Sequence, residues 1–362
     1  MNRRWTTERA NKWYEKQGWL RGCNFIGSDC ANRLDMFQSF GCEEKLRTAD
    51  RELALAKKIG FNSVRIWANF DVYYSEPDTY FEIFERYISL CHKHGQKVML
   101  VITHEEDLPR GDSFEPKPIG EQSYAAGYHQ GRFPLTDEQK ALPVRHYYEY
   151  PELRETFLQF VRESIERYKN DERIIAFNLY NEPGITLGED RSAAVLDAVY
   201  KIAREIDPIQ PLTVDVWRGF VNGKPKTEGQ KRALDMSDII SFHSYLSYTQ
   251  LVEEISILRQ ENRPIFLTEW LHRINKNNVF EIYPLLYITG VSNYCWGFVV
   301  GKTQTNEPWE DIWDKYYSGD DWGFDFTKWQ HDLFRPNLRP YDPRELEVIE
   351  KFNRLADENK EV

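Results

Sequence analysis

The chain lacks the features that mark membrane, secreted or disulfide-bonded proteins. No stretch approaches the 18 apolar residues that a membrane-spanning helix needs. Residues 1–8 contain no apolar core of the kind found in a signal peptide, so we expect a cytoplasmic location, or a periplasmic or secreted one if a leader has been removed. The five cysteines fit neither a disulfide framework nor a zinc site, and we expect buried free thiols, although the first three would allow one bridge.

Positive charge is also scarce. The chain has 47 Lys and Arg against 58 Asp and Glu, a formal charge of −11, which argues against nucleic acid and anionic membranes as partners. No Gly-, Ser- or Pro-rich linker divides the chain and no repeat is visible. We therefore expect one catalytic domain over residues 1–362, with a short extension at 1–18 and a frayed charged tail at 357–362. The oligomeric state cannot be read from the sequence.

Eight β-type segments alternate with amphipathic helical segments along the chain. Several are continuous apolar runs, as expected of parallel strands that are covered on both faces. This alternation predicts an α/β fold, a single (β/α)8 TIM barrel, with long loops at 104–150 after strand 3 and 301–342 after strand 8. The predicted strands are Leu20–Ile26, Asn62–Trp67, Lys97–Thr103, Ile174–Asn181, Pro211–Trp217, Asp238–Tyr245, Pro264–Glu269 and Val291–Phe298.

Two of these strands end abruptly in a carboxylate, at Glu182 and at Glu269. Polar residues at the C-terminal strand ends of such a barrel face its catalytic mouth. Two carboxylates there are what the cleavage of a glycosidic bond requires. The other strands also end in polar or aromatic residues, namely Asn24, Arg65, Trp67, His104, Asp215, Trp217, His243, Tyr245 and Trp296. Each has an ordinary structural explanation by itself, but together they predict a site.

This arrangement resembles clan A of the glycoside hydrolases, closest to the cellulase-type family 5, over residues 20–355. The matching residues are Arg65, Asn181-Glu182-Pro183, His243-Ser244-Tyr245, Glu269 and Trp296. The segments Gly301–Thr305 and Asp332–Pro336 resemble a bacterial branch of the clan, a likeness that does not settle the substrate.

The resemblance implies a retaining mechanism, in which the two carboxyl groups lie about 5–5.5 Å apart. Glu269 would be the nucleophile, kept ionised by Arg65 and Tyr245, and Glu182 the acid/base, with its pKa raised by the facing charge.

The remaining residues would bind substrate or support the pair. Asn181 would bind the sugar 2-hydroxyl, and His243 would orient a substrate hydroxyl or its neighbouring Glu. Trp296 would form the floor beneath the sugar in the −1 position. Supporting or substrate-binding roles are expected for Asn24, Trp67, His104 and Trp217. We expect no metal and no cofactor, because the cluster His104-Glu105-Glu106-Asp107 lacks the spacing of a zinc site.

The substrate should be a β-linked glycan of the mannan, glucan, xylan or galactoside type. The two long loops suggest a pocket that acts on short oligosaccharides or chain ends. A transglycosylase would share every catalytic residue, and a non-catalytic sugar-binding barrel would need to have lost some of them. A metal-dependent barrel hydrolase is disfavoured, because Asn24-Phe25-Ile26 stands where its His-x-His pair is expected.

Overall fold

Parallel strands surrounded by helices form a closed barrel in the computed structural model, which describes residues 4–131, 135–320 and 323–359. The barrel strands are β1 (Arg21–Asn24), β2 (Ser63–Trp67), β3 (Lys97–Val101), β4 (Ile174–Asn178), β5 (Leu212–Thr213 and Asp215–Val216), β6 (Ile240–His243), β7 (Ile265–Trp270) and β8 (Ser292–Cys295). The predicted (β/α)8 barrel is confirmed, with all eight strands within a few residues of their predicted bounds.

Barrel closure occurs at two places. Strand β1 pairs with β8, with Arg21 opposite Asn293. Strand β5 is broken at Val214, whose N–H donates to Ser237 Oγ (2.9 Å). The first piece of β5 pairs with β4 and the second with β6, so that a single interrupted strand completes the ring.

The helices cover the outside of the barrel and lie in the connections between its strands. They span Thr7–Gln17, Arg33–Phe37, Cys42–Lys58, Phe70–Ser75, Pro77–Lys93, Asp137–Ala141, Arg154–Tyr168, Glu189–Ile206, Glu228–Met236, Tyr248–Leu258, Val279–Thr289, Glu310–Ser318 and Pro343–Glu358. Short 3-10 turns occur at His129–Gly131, Tyr147–Glu149, Arg259–Glu261 and Arg273–Asn275, and a small hairpin pairs Phe220–Val221 with Lys224–Pro225.

The N-terminal segment closes the end of the barrel opposite the strand C-termini. Trp5 and Ala10 are buried in one cluster with Phe266 and Tyr294, residues of β7 and β8. The segment predicted as a short extension thus contains a helix, Thr7–Gln17, that covers the barrel floor.

The C-terminal tail begins later than predicted. The last helix continues to Glu358, and Asp357 accepts a hydrogen bond from Arg21 Nη2 at 2.7 Å. A buried guanidinium therefore holds the start of the segment that we expected to be frayed. Residues 360–362 lie outside the described residues.

The two long loops contact each other above the barrel. The side-chain amide of Gln304 donates to the carbonyl oxygen of Ala125 (2.8 Å), and Trp309 Nε1 donates to His129 Nε2 (3.2 Å). Hydrogen bonds between the loops thus join residues far apart in sequence and cover one side of the mouth.

The five cysteines have free thiols, four of them buried and Cys42 half-buried. None of the helices in the described part of the chain combines the length and apolarity needed to cross a membrane.

Candidate active site

Two glutamates meet at the mouth of the barrel. One carboxylate oxygen of Glu182, one of Glu269 and a ring nitrogen of His243 all lie within 4.8 Å of one another. The three residues line a cavity of about 860 Å³. Carboxyl groups this close leave no room for a water molecule between them, as a retaining mechanism requires.

The backbone delivers Glu182 from a loop and not from a strand, which corrects the sequence prediction. Strand β4 ends at Asn178, and Glu182 has φ +45°, a left-handed conformation that an extended strand cannot accommodate. Glu105 holds the loop beyond it, because its carboxylate accepts hydrogen bonds from the backbone N–H groups of Gly184 and Leu187, at 2.8 Å each. Glu105 therefore anchors the loop that carries Glu182.

Glu269 lies within β7, at an irregularity of the ladder. The register between β6 and β7 shifts after Leu267, so that Glu269 stands opposite His243. Such irregularities re-aim side chains, and they are frequent near active sites. Here the shift sets the nucleophile candidate beside the histidine.

Two donors hold the Glu269 carboxylate. Arg65 Nη1 donates to Oε1 at 2.9 Å, and the hydroxyl of Tyr245 donates to Oε2 at 2.8 Å. Hydrogen bonds to a carboxylate stabilise its charged form.

Arg65 is the centre of the buried polar network. Its guanidinium is inaccessible to solvent and forms an ion pair with Asp215 at 2.8 Å as well as with Glu269. Burial opposes the charge on Asp215, but Arg65, His243 and Ser241 together outweigh it and hold the pKa of this carboxyl well below its usual range. The guanidinium also donates to the side-chain oxygens of Asn24, Asn178 and Asn181, at 2.9, 2.9 and 2.6 Å.

Glu182 is paired with His243 instead of with an arginine. The distance from His243 Nδ1 to Glu182 Oε1 is 2.6 Å. Burial raises the pKa of Glu182 to about 7, although the histidine acts in the opposite direction. Burial also disfavours the imidazolium, but Glu269, Asp215 and Glu182 together raise the pKa of His243 to about 10.

Asn181 is oriented at both ends of its amide. Its oxygen accepts from Arg65, and its Nδ2 donates to Glu106 Oε1 at 2.6 Å. Burial works against the Glu106 charge, but His104 and Arg33 lower the pKa of Glu106 to about 2.

The aromatic candidates divide into two groups. Trp296 and Trp217 line the large cavity, and Trp217 Nε1 donates to the carbonyl oxygen of Pro183 (3.1 Å). Trp67 lies behind Trp296, with ring centroids 5.4 Å apart in an edge-on arrangement. Trp67 therefore packs against Trp296 without lining the large cavity.

Two further predicted residues also lie outside the lining of the large cavity. His104 contacts Glu106, with Nδ1 3.0 Å from Oε2. Asn24 donates to the carbonyl oxygen of Thr268 (2.9 Å) and accepts from Arg65. Both contact other residues of the site, and Asn24 also lines a smaller cavity beside the large one.

Sequence reasoning missed several residues of the site. Asn178 precedes the Asn-Glu-Pro motif and contacts Arg65, and Glu106 reaches the cavity beside Glu182. Trp309, from the loop after β8, lies edge-on to Tyr245 with centroids 5.1 Å apart. A loop residue such as Trp309 has no strand register, so only its aromatic character signalled a role.

The three residues Glu182, His243 and Glu269 also have the composition of a metal site. A metal would need a neutral imidazole, whereas the surrounding carboxylates favour the charged form of His243. Arg65 and Tyr245 already occupy the oxygens of Glu269. The donor set therefore fits a proton-transfer site better than a metal site.

A parallel barrel with two closely spaced glutamates at its mouth defines the class of protein, a retaining β-glycoside hydrolase. The sequence model described as Cellulase (glycosyl hydrolase family 5) matches residues 23–288, and the chain belongs to this family. The resemblance inferred from the motifs is thereby confirmed. No curated protein sequence matches the chain with statistical significance.

Solved structures with this fold include several glycosidases. The exo-β-1,4-mannosidase Op5Man5 from Opitutaceae bacterium strain TAV5 is 13% identical, with a TM-score of 0.55 over 94% of this chain and 60% of that one. GH5_18 from Streptomyces cattleya, in complex with Manβ1-4GlcNAc, is 12% identical, with a TM-score of 0.58 over 93% and 80%. The endo-1,4-β-mannanase from Rhizomucor miehei is 12% identical, with a TM-score of 0.55 over 94% and 95%. At this identity the likeness shows the shared fold.

Proposed function

We propose that Glu269 is the nucleophile and Glu182 the acid/base of an exo-acting β-glycosidase, with β-mannosides as the first substrates to test. The observation that carries the assignment is the asymmetry of the two carboxyl groups. Glu269 accepts hydrogen bonds from Arg65 and Tyr245, which favours a charged nucleophile. Burial raises the pKa of Glu182 to about 7, which favours a protonated acid near neutral pH.

The reaction then proceeds in two displacements. Glu182 gives its proton to the departing glycosidic oxygen while Glu269 attacks the anomeric carbon and forms a glycosyl ester. Esterification removes the Glu269 charge, which had raised the pKa of Glu182, so this pKa falls and the Glu182 carboxylate formed in the first step stays ionised and available as the base. It then takes a proton from the attacking water, and the ester is hydrolysed with overall retention.

The loops support action at chain ends. The departing part of the substrate must lie on the side of Glu182, where Ile185 and Trp217 line the cavity. The loops after β3 and β8, joined through Gln304 and Trp309, border the same cavity. We propose that they close its other side, so that a long glycan would not extend beneath them.

The choice of mannosides comes from relatives. Op5Man5 is a mannosidase and the Rhizomucor miehei enzyme is a mannanase by name, and GH5_18 was solved with a mannose-containing disaccharide. Because these relatives are only 12–13% identical to the chain, glucosides, xylosides and galactosides belong in the same screen.

Azide rescue tests the nucleophile. We expect Glu269→Ala to lose roughly 10⁴-fold or more in kcat on aryl β-glycosides. Azide should restore turnover and yield a glycosyl azide of inverted anomeric configuration. Glu253→Ala, an exposed acidic residue on the helix Tyr248–Leu258, serves as the control and should behave like the wild type. Failure of azide to restore turnover, in a folded variant, would show that another residue is the nucleophile.

The products from a reduced β-1,4-linked oligosaccharide test exo action. We expect the wild type to release units from the non-reducing end only, and mixed internal products would contradict this. Gln304→Ala, which removes a hydrogen bond between the loops, should increase the share of internal cleavage. An added acceptor sugar that diverts product from hydrolysis would identify a transglycosylase.

A further inference from the structure

A second, smaller cavity lies beside the catalytic cleft. It has a volume of about 40 Å³ and shares Gln130 and Trp296 with the large cavity. Its polar lining comes from the loops after β1, β3 and β8, through Asn32, Arg33, Asp107, Thr303, Thr305 and Asp332. We call it the glycone pocket, after the part of the substrate that is assigned to it below.

Asp332 brings an unpaired carboxylate oxygen to this pocket. The residue is completely buried, and Oδ2 accepts a hydrogen bond from the hydroxyl of Thr305 at 2.8 Å. Oδ1 has no hydrogen-bond partner among the described residues. A buried carboxylate oxygen without a donor is costly, so it calls for a ligand or water. A Cβ atom on Gly297 would come within 2.5 Å of Oδ1, so only glycine at 297 leaves room for the carboxylate in this position.

Arg33 brings unpaired donors to the same pocket. Its side chain is buried, with an exposed fraction of only 7%. The guanidinium carbon Cζ lies 4.7 Å from the ring centre of Trp67. The nearest carboxylate oxygen recorded is that of Glu106, 3.9 Å from Nη1 and beyond hydrogen-bond distance. Nε likewise finds no acceptor in the described part of the chain.

Given the proposed function, on which this step rests, we infer that the glycone pocket binds the free hydroxyl groups of the non-reducing-end sugar, with Asp332 and Arg33 as specificity-determining residues. A volume of 40 Å³ holds about three water molecules, so it admits two or three hydroxyl groups but not a whole ring. The unpaired acceptor and donors together match a neutral polyol, since each hydroxyl both donates and accepts.

This pocket also explains why chain ends would be preferred. In a β-1,4-linked chain, only the terminal sugar has a free 4-hydroxyl. An internal unit carries the next sugar at that position, and the pocket has no room for it. The two motifs at residues 301–305 and 332–336 thereby gain a shared role, because Thr305 and Asp332 meet in the pocket.

Deoxygenated substrates test the inference. Kinetics would compare 4-nitrophenyl β-D-mannoside and β-D-glucoside with their 3-deoxy, 4-deoxy and 6-deoxy forms. We expect the wild type to lose about 10²-fold in kcat/KM on at least one deoxy sugar, because buried groups are left unpaired. Asp332→Asn keeps the shape and an acceptor for Thr305. This variant should lose about tenfold or more in kcat/KM on the parent sugar and little on that deoxy sugar. The ratio of kcat/KM between the two sugars should therefore fall.

The controls separate the outcomes. Asp314→Asn, an exposed substitution on the helix Glu310–Ser318, should keep the wild-type ratio. If Asp332→Asn fails to fold, Arg33→Gln supplies the same comparison. If the folded single variants at both positions keep the wild-type ratio of kcat/KM, the inference is overturned while the catalytic assignment stays intact. A wild type that hydrolyses neither parent glycoside, nor any other aryl β-glycoside of the screen, would overturn both.

Discussion

His243 Nδ1 lies 2.6 Å from Glu182 Oε1, which makes this histidine the direct partner of the proposed acid/base. The same nitrogen is 3.4 Å from Glu269 Oε2, and Nε2 is 3.4 Å from Asp215. One imidazole therefore lies among three carboxyl groups. The ionisation of the acid/base depends on it, which has a direct consequence for the pH dependence of catalysis.

The pH profile of the wild type should fall on its alkaline side near pH 7. Glu182 must be protonated to act as the acid, and its pKa is raised to about 7, so kcat/KM should decline as the pH rises through that value. His243→Asn removes a positive charge that stabilises the Glu182 anion. The Glu182 pKa should therefore rise further, and the alkaline limb should move up by about one pH unit or more. Measurement of kcat/KM against pH with an aryl glycoside checks this.

An alkaline limb that stayed in place, or moved to lower pH, would contradict the coupling. Far-UV circular dichroism over the same pH range would show whether the variant remains folded.

The leaving group decides how much Glu182 matters. We expect Glu182→Gln to lose about 10²–10⁴-fold in kcat on substrates with poor leaving groups, which need protonation. On a 2,4-dinitrophenyl glycoside, whose leaving group needs no proton, the loss in the first step should be slight. Glu253→Gln, on an exposed helix face, is the matched control. Equal losses in kcat/KM, which reports the first step, on both substrates would assign the acid role elsewhere.

Arg65 should matter for stability as well as for catalysis. Arg65→Met leaves the buried carboxylates of Asp215 and Glu269 without their cation, which should lower the free energy of unfolding by about 3–5 kcal/mol. Urea denaturation at neutral pH measures it. Arg86→Met breaks a solvent-exposed pair with Glu43 and should cost no more than about 1 kcal/mol. If both variants were equally stable, the Arg65 network would contribute nothing to stability.

Glu52 should make stability depend on pH. Burial raises the pKa of this carboxyl from 4.5 to about 7, although Ser28 donates a backbone hydrogen bond to it at 3.2 Å. The folded state then holds the proton more tightly than the unfolded state, so this residue lowers stability as the pH rises from about 4.5 to 7. Glu52→Gln should therefore be more favourable relative to the wild type at pH 8 than at pH 5, by up to about 3 kcal/mol. Unfolding free energies at the two pH values test this, and a difference that is constant with pH would exclude it.

Strands were the most predictable part of the molecule. Continuous apolar runs such as Lys97–Val101 are long enough and buried on both faces, so their pattern survives in the sequence. Helices with a clear apolar stripe, such as Pro77–Lys93, are among the amphipathic segments that alternate with the strands. Short helices within loops, such as Phe70–Ser75 and Glu310–Ser318, span too few turns to show a periodic pattern.

The two candidate catalytic glutamates, and the contacts of Glu269 with Arg65 and Tyr245, were accessible from sequence, but other contacts around them were not. Glu182 and Glu269 each follow an apolar run, and the run marks them. Glu105 anchors the loop of Glu182, and Arg33 lines the glycone pocket. Both contacts join side chains and backbone from different loops. Nothing in the local sequence records such meetings.

The order of apolar and polar residues by itself determined the barrel, its eight strands and the two glutamates, because burial on both faces of a strand leaves a local pattern. Only the tertiary structure decided that Glu105 anchors the loop of Glu182, that His243 lies nearer to Glu182 than to Glu269, and that hydrogen bonds join the two long loops. Those facts depend on distances between residues far apart in the chain, and these distances are set by how the whole barrel packs.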